Sequence, residues 1–187
     1  MRVLYFHQHF STPEGAAGIR SYEMARHLVA RGHDVTMVCG AYGPGKTGLT
    51  GQFHRGRREG IVDGIRVIEI DLPYDNRLGL FRRSLLFLLF ALRSIWLALR
   101  EPCDLVFATS TPLTAALPGI AARWLRGRPF VFEVRDLWPE LPREMGVIRN
   151  PLVLWILDKL EWSAYHSANA VITLSPGMRE GVERRNI

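Results

Sequence analysis

The first 38 residues constrain the fold more than any other stretch. Residues 3–7, VLYFH, read as a short buried strand, and residues 34–39, DVTMVC, as a second one. Between them Ile19, Tyr22, Met24, Ala25, Leu28 and Val29 recur at helical spacing, and Gly32 stands where a left-handed C-terminal cap is needed. A strand, helix and strand in so few residues is a βαβ unit, because parallel strands require such a crossover. The connecting loop, HFSTPEGAAG, holds Pro13, Gly15 and Gly18. Ligands of open α/β sheets bind outside the carboxyl ends of the strands, so this loop is the first place to look for a site.

The rest of the chain repeats the alternation. After the second strand comes a Gly-rich loop with the run GPGKTG, which lacks phosphate-loop spacing, leads into no helix, and reads as a flexible loop. Residues 58–72 hold two β-rich runs around Asp63-Gly64, a hairpin signal that places them at one edge of the sheet. Residues 103–110 and 128–134 read as strands around a helix pattern at 111–127, where Pro118 predicts a kink or a late start. RDLWPELPREMG follows directly and gathers Glu133, Arg135, Asp136, Trp138 and Glu140 at a strand's carboxyl end. Residues 151–166 predict an amphipathic helix, 168–175 a last strand, and the residues after it another helix. This is a doubly wound α/β domain with five or six parallel strands and an edge hairpin. Thr109, at the end of its strand, faces the same rim.

Residues 78–100 form the most unusual segment. They predict one long helix whose unbroken apolar run, 85–92, falls well short of the roughly 20 residues of a bilayer span. Arg82, Arg93 and Arg100 are spaced 11 and 7 residues apart, which puts them on one side of a helix with Trp96 between them. Two readings stand: a crossover helix with solvated arginines, or such a helix whose outer face touches a membrane.

With 187 residues the chain suits one well-filled domain. The net charge of +6 suits either an acidic partner or a solvated basic surface. Cys39 and Cys103 lack metal-ligand spacing and read as buried free thiols of a reducing compartment. The chain opens directly on a strand, which predicts no secretory signal and a cytoplasmic location. His7 and His9, alternating past the first strand, are expected to point the same way as substrate contacts; without a third ligand they predict no metal site.

Three motifs in order then resemble a known family. GIRSYEMARHLVARGHDVTMV is similar to the N-terminal half of glycosyltransferase family 4, VRDLWPE to a branch with bacterial fucosamine-type transferases of surface-polysaccharide assembly, and VITLSPGMREGVERR to the approach to the family's interdomain linker. The resemblance implies one half of a GT-B fold: a Rossmann-like acceptor-side domain over 1–175, with 176–187 starting toward an absent donor-binding domain. It implies a retaining transferase, with a nucleotide-diphospho-sugar donor, a lipid-linked or oligosaccharide acceptor, no cofactor, no metal and no nucleic acid. A lipid-linked acceptor would lie at the inner face of the plasma membrane, and the membrane reading of residues 78–100 would set Arg82, Arg93, Trp96 and Arg100 against it as peripheral contacts.

The family's glycine pair corresponds to Ala17-Gly18, and Gly15 and Arg20 belong to the same binding loop. Many relatives carry a histidine before the position of Asp136, where this chain has Arg135. The expected catalytic pair is therefore Arg135, binding the acceptor diphosphate or the donor's phosphate, and Asp136, orienting a sugar hydroxyl; a structural salt bridge between these two and their neighbours is the alternative. His7, His9, Thr109 and Glu140 complete the expected binding residues. A dinucleotide-dependent oxidoreductase fits less well, since the first loop is GxxG and strand two ends at Cys39-Gly40 without a ribose-binding acid. A non-catalytic membrane-docking or partner-binding domain is the other reading.

Overall fold

A computed structural model describes every residue except 76 and 186. β1 (Arg2–Phe6) leads through the first loop to α1 (Arg20–Ala30) and β2 (Asp34–Tyr42). β3 (Arg57–Val62) and β4 (Ile65–Tyr74) follow, then α2 (Leu80–Arg100) and β5 (Leu105–Thr109). A 3-10 turn (Leu113–Ala116) opens into α3 (Leu117–Arg126), then β6 (Phe130–Val134) and the short α4 (Glu140–Glu144). α5 (Pro151–Ser167), β7 (Ala170–Thr173) and α6 (Pro176–Glu183) complete the chain. Pro118 thus marks a late helix start rather than a kink.

The strands form one sheet in the order β3-β4-β2-β1-β5-β6-β7. Every pair is parallel except β3–β4, the expected edge hairpin. Its turn residues, Asp63 and Gly64, both have positive φ, as a two-residue hairpin turn requires. Counting only the parallel strands, the order is 3-2-1-4-5-6. The direction of winding reverses between β1 and β5, and α/β sheets open a crevice at such a reversal.

Both faces of the sheet are covered, which is why its strands read as apolar runs. On one face Val3, Tyr5, Met37 and Val67 pack with Tyr22 and Ala25 of α1. On the other Leu4, Phe6, Ile68 and Val106 pack with Phe90 and Leu97 of α2, Ala122 of α3 and Tyr165 of α5. Each large apolar side chain so buried contributes about 1.5–3 kcal/mol. Gly32 (φ 81) ends α1 with the expected cap: its N–H donates to the Val29 carbonyl and His33 N–H to that of Leu28. Cys39 and Cys103 are buried and free.

α2 buries Phe90, Ala91, Ser94, Leu97 and Ala98, one stripe of the helix. Its outer side keeps Phe81 (82% exposed), Leu85, Leu88, Leu92 and Trp96 in solvent. α5 likewise exposes Leu152, Trp155 and Ile156. Among the described residues no helix is long and apolar enough to cross a membrane.

Candidate functional site

The reversal point gathers side chains from four segments. β1 ends at Phe6, and the next residue, His7, is buried. Its Nδ1 lies 2.6 Å from Ser21 Oγ in the first turn of α1, and its Nε2 3.5 Å from the Arg135 guanidinium. Arginine can only donate, so the tautomer that fits both neighbours carries its proton on Nδ1 and gives it to Ser21. Burial, then the Arg135 charge, holds the His7 pKa well below the ordinary imidazole value, so the ring is neutral.

Arg135 is fixed at its backbone, where its N–H donates to Ser110 Oγ at 2.8 Å, and Asp136 N–H reaches the same hydroxyl at 3.4 Å. The Arg135 side chain crosses to the first loop, 3.8 Å from where a Cβ on Gly18 would stand. Among the described residues neither Arg135 nor Asp136 joins a salt bridge, so the two are not a structural pair. Arg20 is treated in the opposite way. Its Nε donates to Glu133 Oε1 at 2.8 Å, and Thr109 Oγ1 donates to Glu133 Oε2 at 2.9 Å. Glu133 is fully buried, so this carboxylate ties α1, β5 and β6 together beneath the rim.

Of the residues expected from the sequence, the fold therefore assembles His7, Gly18, Arg20, Thr109 and Arg135, with Asp136 beside them. Ala17 is half-buried in the first loop next to Gly18, and three others sit elsewhere. Gly15 is packed so tightly that a Cβ would meet Ser11 Oγ and the Lys46 nitrogen, which makes it a close-approach glycine. Glu140 is exposed at the start of α4, and its side chain has no hydrogen bond or ion pair among the described residues. His9 does not point with His7: strand alternation stops at Phe6, and a turn carries the next residues round. The His7 and His9 rings are 6.5 Å apart, and His9 packs instead at a tilt against Tyr42 (4.7 Å between ring centres) and Tyr74 (4.6 Å). Burial, then the charges of Arg83 and Arg135, lowers its pKa to about 4.

The GPGKTG loop is docked rather than loose. Thr12 N–H donates to the Lys46 carbonyl, Ala16 N–H to that of Pro44, and the buried Thr47 hydroxyl to Glu69. It buttresses the first loop from below, which no local pattern reveals. Glu133, grouped with the rim residues from the sequence but given no role there, had a signal for its buried place: FVFEV sets one acid in an apolar strand, and a buried acid needs partners. Ser21 and Ser110, which sequence reasoning passed over, had no such signal.

Beside the aromatic group a groove of about 610 Å³ opens along the first turns of α2, lined by Ala41, Pro73, Tyr74, Leu78, Arg82 and Leu85 among others. On α2 itself, Arg82 and Arg100 are exposed, with Arg100 over the Trp96 ring at 4.8 Å. Arg93 differs from the expectation of a free outward charge: its guanidinium donates to the Gly56 carbonyl at 3.2 Å. Among the described residues no group of three or more His, Cys, Asp or Glu is placed to hold a metal ion.

Comparison with known proteins agrees with this architecture. No curated protein matches the sequence. An E. coli structure described as trehalose-6-phosphate bound with UDP-2-fluoro glucose superposes with a TM-score of 0.59 at 13% identity, over 98% of this chain. The chain spans 42% of that structure's length. The profile of the glycosyl transferase 4-like domain matches residues 15–187, and the chain belongs to that family.

Proposed function

We propose that this family member is the acceptor-side half of a retaining glycosyltransferase, of the branch that carries the RDLWPE motif. It would move a sugar from a nucleotide-diphospho-sugar to a lipid-linked glycan at the inner face of the plasma membrane, in bacterial surface-polysaccharide synthesis. The observation that carries this reading is Arg135, a cation without a carboxylate partner among the described residues, set between His7 and the first loop at the sheet's reversal point. α1 begins there with no side-chain cap on its first amides. Uncapped amides at a helix N-terminus and a free guanidinium are both anion ligands.

In this reading Arg135 and the amides around Gly18 and Arg20 take the negative charge of the departing diphosphate. Asp136 accepts a hydrogen bond from a sugar hydroxyl, and neutral His7 offers no positive charge to compete with Arg135. Arg20, Thr109 and Glu133 hold the loop and strands in register. Tyr42, Tyr74 and His9 form an aromatic wall of the kind on which sugars stack. The neighbouring groove takes the start of the acceptor's hydrocarbon, and Arg82, Arg100 and Trp96 rest on the membrane. A second, donor-binding domain completes the cleft, with residues 176–187 leading toward it.

The test is transfer from a nucleotide-diphospho-sugar to a lipid-linked acceptor by the two-domain protein and by residues 1–187 alone. The two-domain protein transfers and residues 1–187 alone do not. Transfer by the isolated domain at a comparable rate overturns the half-site reading.

A further inference from the structure

At the opposite end of the sheet from β6, a second groove of about 830 Å³ runs between α2 and the β3 edge. Leu49, Ile70, Trp96 and Leu97 give it apolar walls, and Arg55, Arg57 and Arg93 line it as well. The charges of these arginines are not cancelled. Arg58, also at the groove, is consumed by Glu69 (2.9 and 3.1 Å), and the one acid there, Glu59, is taken by Arg66 at 2.9 Å. Among the described residues the Arg93 guanidinium bonds the Gly56 carbonyl and no carboxylate, and the side chains of Arg55 and Arg57 have no hydrogen bond or ion pair.

The loop that carries them is tightly built. Arg55 (φ 52) and Gly56 (φ 78) form a two-residue turn closed by reciprocal bonds between His54 and Arg57, at 2.8 and 3.2 Å. A left-handed backbone disfavours an L side chain, yet an arginine stands there with no side-chain partner among the described residues. Leu85, Leu88, Leu92 and Trp96 recur at intervals of three and four, so one exposed apolar ridge of α2 runs into the groove.

We propose that the groove holds the phosphate of an anionic phospholipid, bound by Arg55, Arg57 and Arg93, with the lipid's hydrocarbon along the Leu85–Trp96 ridge. A soluble phosphate would use the cations and leave the ridge in water. Hydrocarbon alone would leave three charges unanswered. An anionic amphiphile satisfies both, and a tryptophan flanked by arginines suits headgroup depth. The inference rests on the membrane reading of α2, shares Arg93 and Trp96 with it, and adds a specific headgroup site through Arg55 and Arg57.

The experiment is co-sedimentation with phosphatidylcholine vesicles, with and without phosphatidylglycerol. Each basic residue at an anionic surface changes partition about five-fold, so Arg55→Gly with Arg57→Gln loses about thirty-fold on phosphatidylglycerol vesicles. A charge-matched pair on α1, Arg26→Gln with Arg31→Gln, keeps wild-type binding. Glycine suits the left-handed turn, so the first pair retains its melting temperature; if it does not, Arg57→Gln alone still loses about five-fold. Equal binding by wild type and the Arg55/Arg57 variant overturns the headgroup site and leaves the α2 reading standing. Absence of wild-type binding to anionic vesicles ends both. Displacement from vesicles by millimolar glycerol phosphate, or binding of an acidic amphipathic peptide in place of vesicles, overturns the lipid assignment.

Discussion

At the carboxyl rim, Arg20 reaches into the sheet and meets a fully buried carboxylate, Glu133. Along α2 and the β3 edge, Arg55, Arg57, Arg82 and Arg100 meet no carboxylate among the described residues, and an aromatic ring is what Arg100 touches. The first arrangement fixes geometry, because a buried carboxylate tolerates its surroundings only when fully bonded. The second leaves charge for something outside the chain. Arg135 sits at the rim yet belongs to the second kind, and that mixture is what distinguishes a binding site from scaffold.

Breaking the buried side of this contrast has the largest effect. Glu133→Ala strands the buried Thr109 hydroxyl and releases the half-exposed Arg20 to water, and unfolding free energy falls by about 1–3 kcal/mol in denaturant titration. Glu133→Gln, which keeps the bond to Thr109, loses roughly half as much; equal losses would show that charge, not bonding, matters there.

The rim also holds its imidazoles neutral, which makes it sensitive to acid. The folded pKa of His9, about 4, lies below the unfolded value, so folding favours the neutral ring. Its contribution is therefore complete above about pH 6.5 and is lost as pH falls toward 4. At most about 3 kcal/mol is involved, and His9→Phe shrinks the stability difference between pH 7 and pH 4 by up to that amount. His7 acts in the same direction.

On the exposed side the effects are smaller and appear in binding instead of folding. Arg82→Gln with Arg100→Gln weakens partition onto anionic vesicles by about 2 kcal/mol at low salt, and high salt weakens wild type in the same direction. The melting temperature stays put. A variant that sediments like wild type makes these two arginines solvated surface only.

The βαβ opening, the edge hairpin and α2 were legible because each is written locally: helical spacing, a Gly32 cap, an Asp63-Gly64 turn. The candidate site was legible only where a residue ends a strand, as with His7, Thr109 and Arg135. What the sequence hid depends on long-range contact. The GPGKTG loop looks free because its partners, Thr12 and Ala16, lie some thirty residues earlier. His9 was misplaced because alternation was carried one turn past the end of β1. That Arg135 meets no carboxylate among the described residues is a fact about where the acids lie, and no local pattern contains it.

That state is the central claim, and a paired measurement on the two rim arginines addresses it. Sugar transfer and thermal unfolding are followed on the same preparations of Arg20→Gln and Arg135→Gln, in the two-domain enzyme that the proposed function calls for. Arg135→Gln should lose about 10²–10³-fold in kcat, the scale for removing one preorganised donor to developing charge, with a melting temperature near wild type. Arg20→Gln should lose stability. If Arg135→Gln melts as early as Arg20→Gln while turnover holds, Arg135 is scaffold and the account of the site is wrong.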